Sequence, residues 1–257
     1  LPDTGQTTSY TTTFGEDHDY SINTPSFTNN GNGTITDNIT GLMWQQVDGG
    51  EMTFENANTY CNTLTLGGLS GWRLPTPIEA YSIMNHQNSN PAIDTNYFTS
   101  TAAEYWWTSV FELNSTTKVW CTNSGGGIGN HPKAETISAG GTKKFHARAV
   151  RNVTTPTTIT NHFTDNGDGT ITDNLTQLVW QKIPTTETFI WDRALVYAEG
   201  LTIGTNYDWR LPNIKELQSI NNELATNSSV FAPFFTGLGV HNYWSSTTLP
   251  NQTLSAW

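Results

Sequence analysis

The chain has 257 residues and a formal net charge of −11, with 22 Asp and Glu against 11 Lys and Arg. That acidity argues against nucleic acid and heparin-like polyanions as main partners, because such surfaces recruit basic proteins, and it favours neutral glycans, cations or protein surfaces. Only 13% of residues are charged. No apolar run approaches the roughly 20 residues of a membrane span.

Thr, Asn, Ser and Gly dominate and Trp occurs ten times, a profile of secreted, β-rich, loop-rich proteins. Length alone predicts two domains of roughly 100–150 residues. Residues 1–26 are Thr- and Ser-rich with little periodicity and read as an extended arm, and Leu1-Pro2-Asp3 suits a mature terminus left by a cleaved export signal. Residues 27–37 read as a β-hairpin, where Asn-Gly steps supply the positive φ of a tight turn before the alternating Thr-Ile-Thr. A helix over about 54–65 follows, with Phe54, Ala57, Cys61 and Leu64 on one face. After Trp72-Arg73-Leu74-Pro75, the Thr76-Pro77-Ile78-Glu79 sequence is a capping box that opens a second helix of roughly ten residues. Tyr105-Trp106-Trp107-Thr108-Ser109 reads as a buried strand, and a glycine-rich loop and a last strand, His146 to Arg151, complete this stretch.

The pattern then repeats. FTNNGNGTITDNITGLMW at 27–44 returns as FTDNGDGTITDNLTQLVW at 163–180, an offset of 136 between Phe27 and Phe163. Trp72-Arg73-Leu74-Pro75 returns as Trp209-Arg210-Leu211-Pro212, and Tyr105-Trp106 aligns with Tyr243-Trp244, which leaves Trp107 opposite Ser245. Such a long period means duplicated domains and not a solenoid. The expected organisation is an arm over 1–26, domain 1 over 27–151, a Thr/Pro linker over 152–162 and domain 2 over 163–257. The second copy reaches only Trp257, the counterpart of Trp120, so it is expected to lack its last strands. An open sheet edge of that kind invites strand addition from a neighbouring chain, with residues 1–26 the candidate donor, and head-to-tail completion builds filaments; the alternative is a truncated sequence, or a disordered or cleaved tail.

Four sets of residues are candidate sites. Cys61 and Cys121 both lie in copy 1 and both lack a counterpart in copy 2, which points to a disulfide pair, the alternative being two free buried thiols. Asp165, Asp168 and Asp173 could offer oxygens to calcium, although their spacing is not that of an EF-hand and turn formation explains them equally. Arg73 with Glu79 and Arg210 with Glu216, beside Trp72 and Trp209, read as internal ion pairs or loop clamps. Trp107, Lys143, Lys144 and Arg148 are a candidate contact patch, with a solvated strand face as the default reading. Histidines are scattered, and no nucleophile–base pair or phosphate loop is recognisable, so no catalytic residue and no enzyme is expected.

The ordered motifs FTDNGDGTITDNLTQLVW, DWRLPNIKEL and YWSST resemble the Lcl C-terminal domain family, long catalogued as a domain of unknown function in exported bacterial proteins. The resemblance covers copy 1 to Arg151 and copy 2 to Trp257. It implies an α+β fold of two tandem C-type-lectin-like domains, each a twisted, mainly antiparallel sheet with two short helices and long loops, related to the formylglycine-generating-enzyme fold through the Arg-Leu-Pro-x-x-x-Glu segment. It also implies surface exposure and roles in adhesion or glycan binding. The expected protein is therefore a secreted, non-enzymatic bacterial surface protein for adhesion or extracellular assembly, with itself or extracellular glycans as partners. The alternative is a monomeric glycan-binding lectin, and neither reading calls for a cofactor beyond a candidate calcium.

Overall fold

A computed structural model of the chain describes residues 1–99, 103–137, 144–155, 159, 161–222, 234–235, 242–250, 252 and 255–257. The architecture is α+β, with mostly antiparallel sheets and short helices. The chain divides into two compact units, unit 1 from Leu1–Gln6 and Ile22–Thr155, and unit 2 from Thr7–Ser21 and Pro156–Trp257. The expected arm is thus shared out, and its middle packs as part of unit 2. Among the described residues no helix is long and apolar enough to cross a membrane.

Unit 1 begins with β1 (Phe27–Asn29), β2 (Thr34–Asp37) and β3 (Leu42–Gln45). Then come α1 (Phe54–Thr63), α2 (Pro77–Ser82), β4 (Tyr105–Phe111), β5 (Lys118–Asn123), β6 (Ile128–Pro132), β7 (Phe145–His146) and β8 (Val150–Asn152). One sheet has the order β1-β2-β3-β8 and the other β6-β5-β4-β7; β4 and β7 run parallel, and the other neighbouring strands of these sheets are antiparallel. The last strand of the unit therefore returns beside its third, with Trp44 opposite Val150. In the β1–β2 turn the Asn30 amide donates to the hydroxyls of Thr34 at 2.9 Å and Thr36 at 3.0 Å. Gly33 is required there twice over. Its φ is +84°, and a Cβ would sit 3.1 Å from Leu66 Cδ1.

Thr53 caps α1, accepting the Asn56 N–H, and α1 turns Phe54, Ala57 and Cys61 inward. The capping box of α2 forms: Thr76 N–H donates to Glu79 Oε2 at 2.8 Å, and Glu79 N–H to Thr76 Oγ1 at 3.3 Å. The helix is shorter than its sequence predicts, ending at Ser82, whose hydroxyl takes the Glu79 carbonyl at 2.7 Å. Such side-chain bonding to a nearby backbone carbonyl competes with helix continuation.

One core gathers Phe54, Ala57, Cys61, Trp72, Leu74, Trp107, Val119, Cys121, Phe145, Ala147 and Ala149, and a second Ile35, Leu42, Trp44, Ile83, Ile93, Phe98 and Val150. The expected disulfide is corrected here. Cys61 and Cys121 are free thiols, both buried in the first core, where they pack as small apolar groups.

Unit 2 repeats the opening with β9 (Phe163–Asp165), β10 (Thr170–Asp173) and β11 (Val179–Gln181), in the order β11-β10-β9. The turn is the same in detail, with the Asn166 amide donating to Thr170 at 2.9 Å and Thr172 at 3.0 Å. Helices α3 (Trp191–Glu199) and α4 (Ile214–Ser219) follow, and α4 carries the Asn213–Glu216 capping box. Ser219 closes it on the Glu216 carbonyl at 2.7 Å, as Ser82 does in unit 1. The core copies too. Phe27 meets Phe98 edge-on at 5.3 Å and 85°, and Phe163 meets Phe235 at 5.3 Å and 84°.

Candidate functional site

The two units match bond by bond at the segments that carry Trp107, in β4, and Trp244, which is not in a strand. Trp107 donates its indole N–H to the Met52 carbonyl at 2.9 Å, and Trp244 donates to the Phe189 carbonyl at 2.9 Å. Thr108 Oγ1 donates to the Trp120 carbonyl at 2.7 Å, and Ser245 Oγ to that of Trp257 at 3.1 Å. Ser109 N–H reaches the Pro75 carbonyl at 2.7 Å, and Ser246 N–H that of Pro212 at 2.8 Å. Each of these pairs is offset by 137 residues, so the counterpart of Trp244 is Trp107, not Trp106. Matching the two Tyr-Trp dipeptides by sequence slips the register by one, because unit 1 has two adjacent tryptophans.

The equivalent rings have different surroundings. Trp107 is 0% exposed. Phe145 stacks on it at 4.8 Å, and Val119, Cys121, Ala147 and Ala149 join it in the same core, beside Phe54, Ala57, Cys61, Trp72 and Leu74. The first five of these residues all belong to 119–149. Trp244 is 39% exposed, and Ile190, next to its hydrogen-bond partner, is 71% exposed. Phe54, Trp72 and Leu74 are buried, whereas their counterparts Trp191, Trp209 and Leu211 are only half-buried. A second opening lies at β11. Its counterpart β3 pairs with β8, while β11 is a sheet edge among the described residues, with Val179 and Ile183 exposed nearby. Apolar side chains left in water and unpaired edge groups are both marks of an interaction surface.

Unit 2 also holds an acidic segment in a hydroxyl-lined socket. Glu16 and Asp17 flank the start of a single 3-10 turn at Asp17–Asp19 and both are buried. The Glu16 carboxylate accepts from Tyr10 N–H at 2.9 Å, Ser9 Oγ at 3.1 Å and Thr248 Oγ1 at 2.7 Å. Asp17 accepts from Thr247 Oγ1 at 2.7 Å, and that hydroxyl in turn accepts the Ile214 N–H of α4 at 3.0 Å. Asp17 N–H donates to the Ser246 carbonyl at 3.1 Å. Tyr20 donates to Glu199, and the Arg210 guanidinium lies 5.4 Å over the Tyr20 ring. Burial, followed by the Glu199 bond, pushes the Tyr20 phenol well above its ordinary range, so it stays a donor.

Unit 1 has a different polar feature. Asp48 accepts from the Trp106 indole at 3.1 Å, bonds His146 Nδ1 at 2.8 Å and lies 3.6 Å from Arg148 Nη2. Arg148 Nη1 donates to the carbonyls of Gln45 at 2.9 Å and Gln46 at 2.5 Å. Desolvation pulls Arg148 down to about 10, against the pull of Asp48, so it remains charged at neutral pH. Unit 2 has Pro184 or Thr185 where Asp48 would fall. This cluster ties β3, its following loop and the last strands together.

The expected contact patch is not gathered at a surface. Trp107 and Arg148 are buried, Lys144 is exposed and pairs with Glu51 at 3.8 Å, and Lys143 lies outside the described residues. The basic stretch before Arg151 is not a solvated face: His146 and Arg148 point inward because Asp48 waits there. The three aspartates are each used by their own turn. Asp165 accepts the Gly167 N–H at 3.0 Å and pairs with Lys182 at 2.5 Å. Asp168 accepts from Thr170 N–H at 3.0 Å, and Asp173 from Leu175 N–H at 2.9 Å. Among the described residues no three His, Cys, Asp or Glu side chains are gathered to hold a metal. Arg73 and Glu79 form a two-pronged pair at 2.7 Å and 2.7 Å, and Arg210 and Glu216 one at 2.6 Å and 2.5 Å. Trp72 and Trp209 donate to the carbonyls of Leu69 and Asn206 at 3.0 Å each. Sequence reading missed the Asp48 cluster and the Glu16–Asp17 socket. The signal for the second was present: Glu16-Asp17-His18-Asp19 is a charged run in a Thr- and Ser-rich arm.

The sequence profile described as Lcl C-terminal domain matches residues 33–151 and 169–257, one stretch in each copy. No curated protein and no solved structure matches the chain.

Proposed function

Because the chain belongs to the Lcl C-terminal domain family, we propose that it is a secreted, non-enzymatic bacterial surface protein that works in adhesion or extracellular assembly. In this reading its units are C-type-lectin-like domains, and a neighbouring copy docks on the exposed Trp244 face and β11 edge of unit 2, making head-to-tail filaments. The lectin-like assignment draws support from the pairing of β3 with β8, which brings the last strand of unit 1 into the same sheet as its opening strands. One observation carries the assembly reading: Trp244 stands 39% exposed in the position where Trp107 is fully buried in a core to which Val119, Cys121, Phe145, Ala147 and Ala149 contribute. A strand segment of the same kind, from another chain, would cover that ring and pair with β11.

A non-enzymatic role is supported by the thiols. Burial pushes Cys61 up to about 12 and Cys121 well above its ordinary value, and a nucleophilic cysteine needs the opposite shift. The second reading, a monomeric glycan-binding protein, is favoured by the exposure of Tyr207, Tyr243 and Trp244, since exposed rings stack on sugars. Sedimentation velocity over a wide concentration range, run beside a glycan array, separates the two. Self-association without saturable sugar binding supports assembly. A strict monomer that binds sugars saturably replaces it with the lectin reading.

A further inference from the structure

We infer that residues 7–21 are an exchangeable plug, and that in the assembled protein this segment of one copy seats in unit 2 of the next. The inference rests on the assembly reading and adds a second joint to it, since the seated segment leaves Trp244 39% exposed and β11 at a sheet edge among the described residues. By packing, Thr7–Ser21 belongs to unit 2, but by peptide bonds it is joined at both ends to unit 1, at Gln6 and Ile22. Unit 1 clamps those two flanks together. The Asp3 carboxylate accepts from Ile22 N–H at 3.0 Å and Asn23 N–H at 2.9 Å, and Asp3 N–H donates to the Asn23 carbonyl at 2.9 Å. The plug is therefore a part of unit 2 that lies in sequence between two stretches of unit 1, and within one chain its covalent route to the rest of unit 2 runs through Ile22–Thr155.

The lock itself is specific and wholly non-covalent. Thr248 and Thr247 hold the buried carboxylates of Glu16 and Asp17 at 2.7 Å each, Thr11 Oγ1 donates to Asp192 at 3.2 Å, and Tyr20 donates to Glu199. Gly15 fits closely, for a Cβ there would lie 3.2 Å from Glu199 Cγ and 3.4 Å from Leu195 Cβ. A buried carboxylate is tolerated only where donors await it, so the socket selects this segment over other chains. The same bonds form whether plug and socket come from one chain or two, which is the condition for domain swapping. Because plug and socket are different surfaces, exchange can pass head to tail from copy to copy, and it extends as an open filament unless it closes into a reciprocal dimer or a ring.

The test uses the full chain with Asp17→Cys and Thr247→Cys together, and in a second protein Glu16→Cys with Thr248→Cys, each single variant serving as control. Oxidised samples are run on non-reducing denaturing gels, and mass photometry records assembly before denaturation. The expected result is a ladder of linked chains that collapses to monomer on reduction and is absent from the single variants. Intrachain links alone in a sample that does assemble overturn the plug while leaving assembly intact. Intrachain links in a sample that never assembles overturn both. Absence of any link in both double variants shows the segment outside the socket and overturns the plug as well.

Discussion

Trp107 and Trp244 make the same indole hydrogen bond at the same 2.9 Å, yet one ring is sealed and the other stands in water. The difference arises from what lies above them. In unit 1, Phe145 stacks on Trp107 and residues 119–149 supply five members of the cluster. Substitution should read this asymmetry directly. Trp107→Ala is expected to destabilise unit 1 by about 3–5 kcal/mol, the usual cost of emptying a packed aromatic site. Trp244→Ser should cost unit 2 roughly half as much or less, because less area returns to water, while weakening self-association. Urea unfolding of both variants, followed with sedimentation, checks the pair. Equal destabilisation with unchanged association would contradict the account.

Cys61 and Cys121 should titrate as two free thiols per chain once the protein is denatured, without added reductant. In the native protein both should react with a thiol reagent orders of magnitude more slowly, since burial disfavours the thiolate of each. A thiol count of zero before reduction would restore the disulfide.

Asp48→Asn should destabilise unit 1 by about 3–5 kcal/mol, because it strands the buried Arg148 charge. The double variant Asp48→Asn with Arg148→Met should recover a large part of that loss, since removing both charges removes the stranded one. Chemical denaturation of the singles and the double makes the cycle, and strict additivity would show that Arg148 does not depend on Asp48.

His162 stacks on Phe163 at 3.9 Å and lies 3.2 Å from Asp173. Desolvation lowers its pKa below the ordinary 6.5 and outweighs the opposing pull of Asp173. Just below that ordinary value the unfolded chain therefore binds more protons than the folded one, so stability is lost as pH falls through that window. An NMR titration should place the His162 midpoint under 6.5, and His162→Gln should flatten the acid limb of the stability curve. A midpoint above 6.5 would reverse the sign.

Local chemistry made much of each unit legible in the sequence. The Asn-Gly and Asp-Gly turns, the amphipathic α1 and α3, and both capping boxes follow from neighbours a few residues apart, so they read directly from the order of residues. What escaped depends on long-range partners. Cys61 and Cys121 share a core without bonding, which no spacing reveals. His146 and Arg148 look like a basic strand until Asp48, about a hundred residues earlier, turns them inward. Trp106 and Trp107 are indistinguishable by type, and only their hydrogen-bond partners show which of them repeats as Trp244. The socket for Glu16 and Asp17 is likewise built by Thr247 and Thr248, more than two hundred residues away.

The most direct measurement is negative-stain microscopy with mass photometry on the wild-type chain across a wide concentration range. The account predicts open-ended oligomers that lengthen with concentration, with the Trp244 face covered by a neighbouring copy. A population of monomers at every concentration, with unit 2 folded by hydrogen exchange, would contradict it.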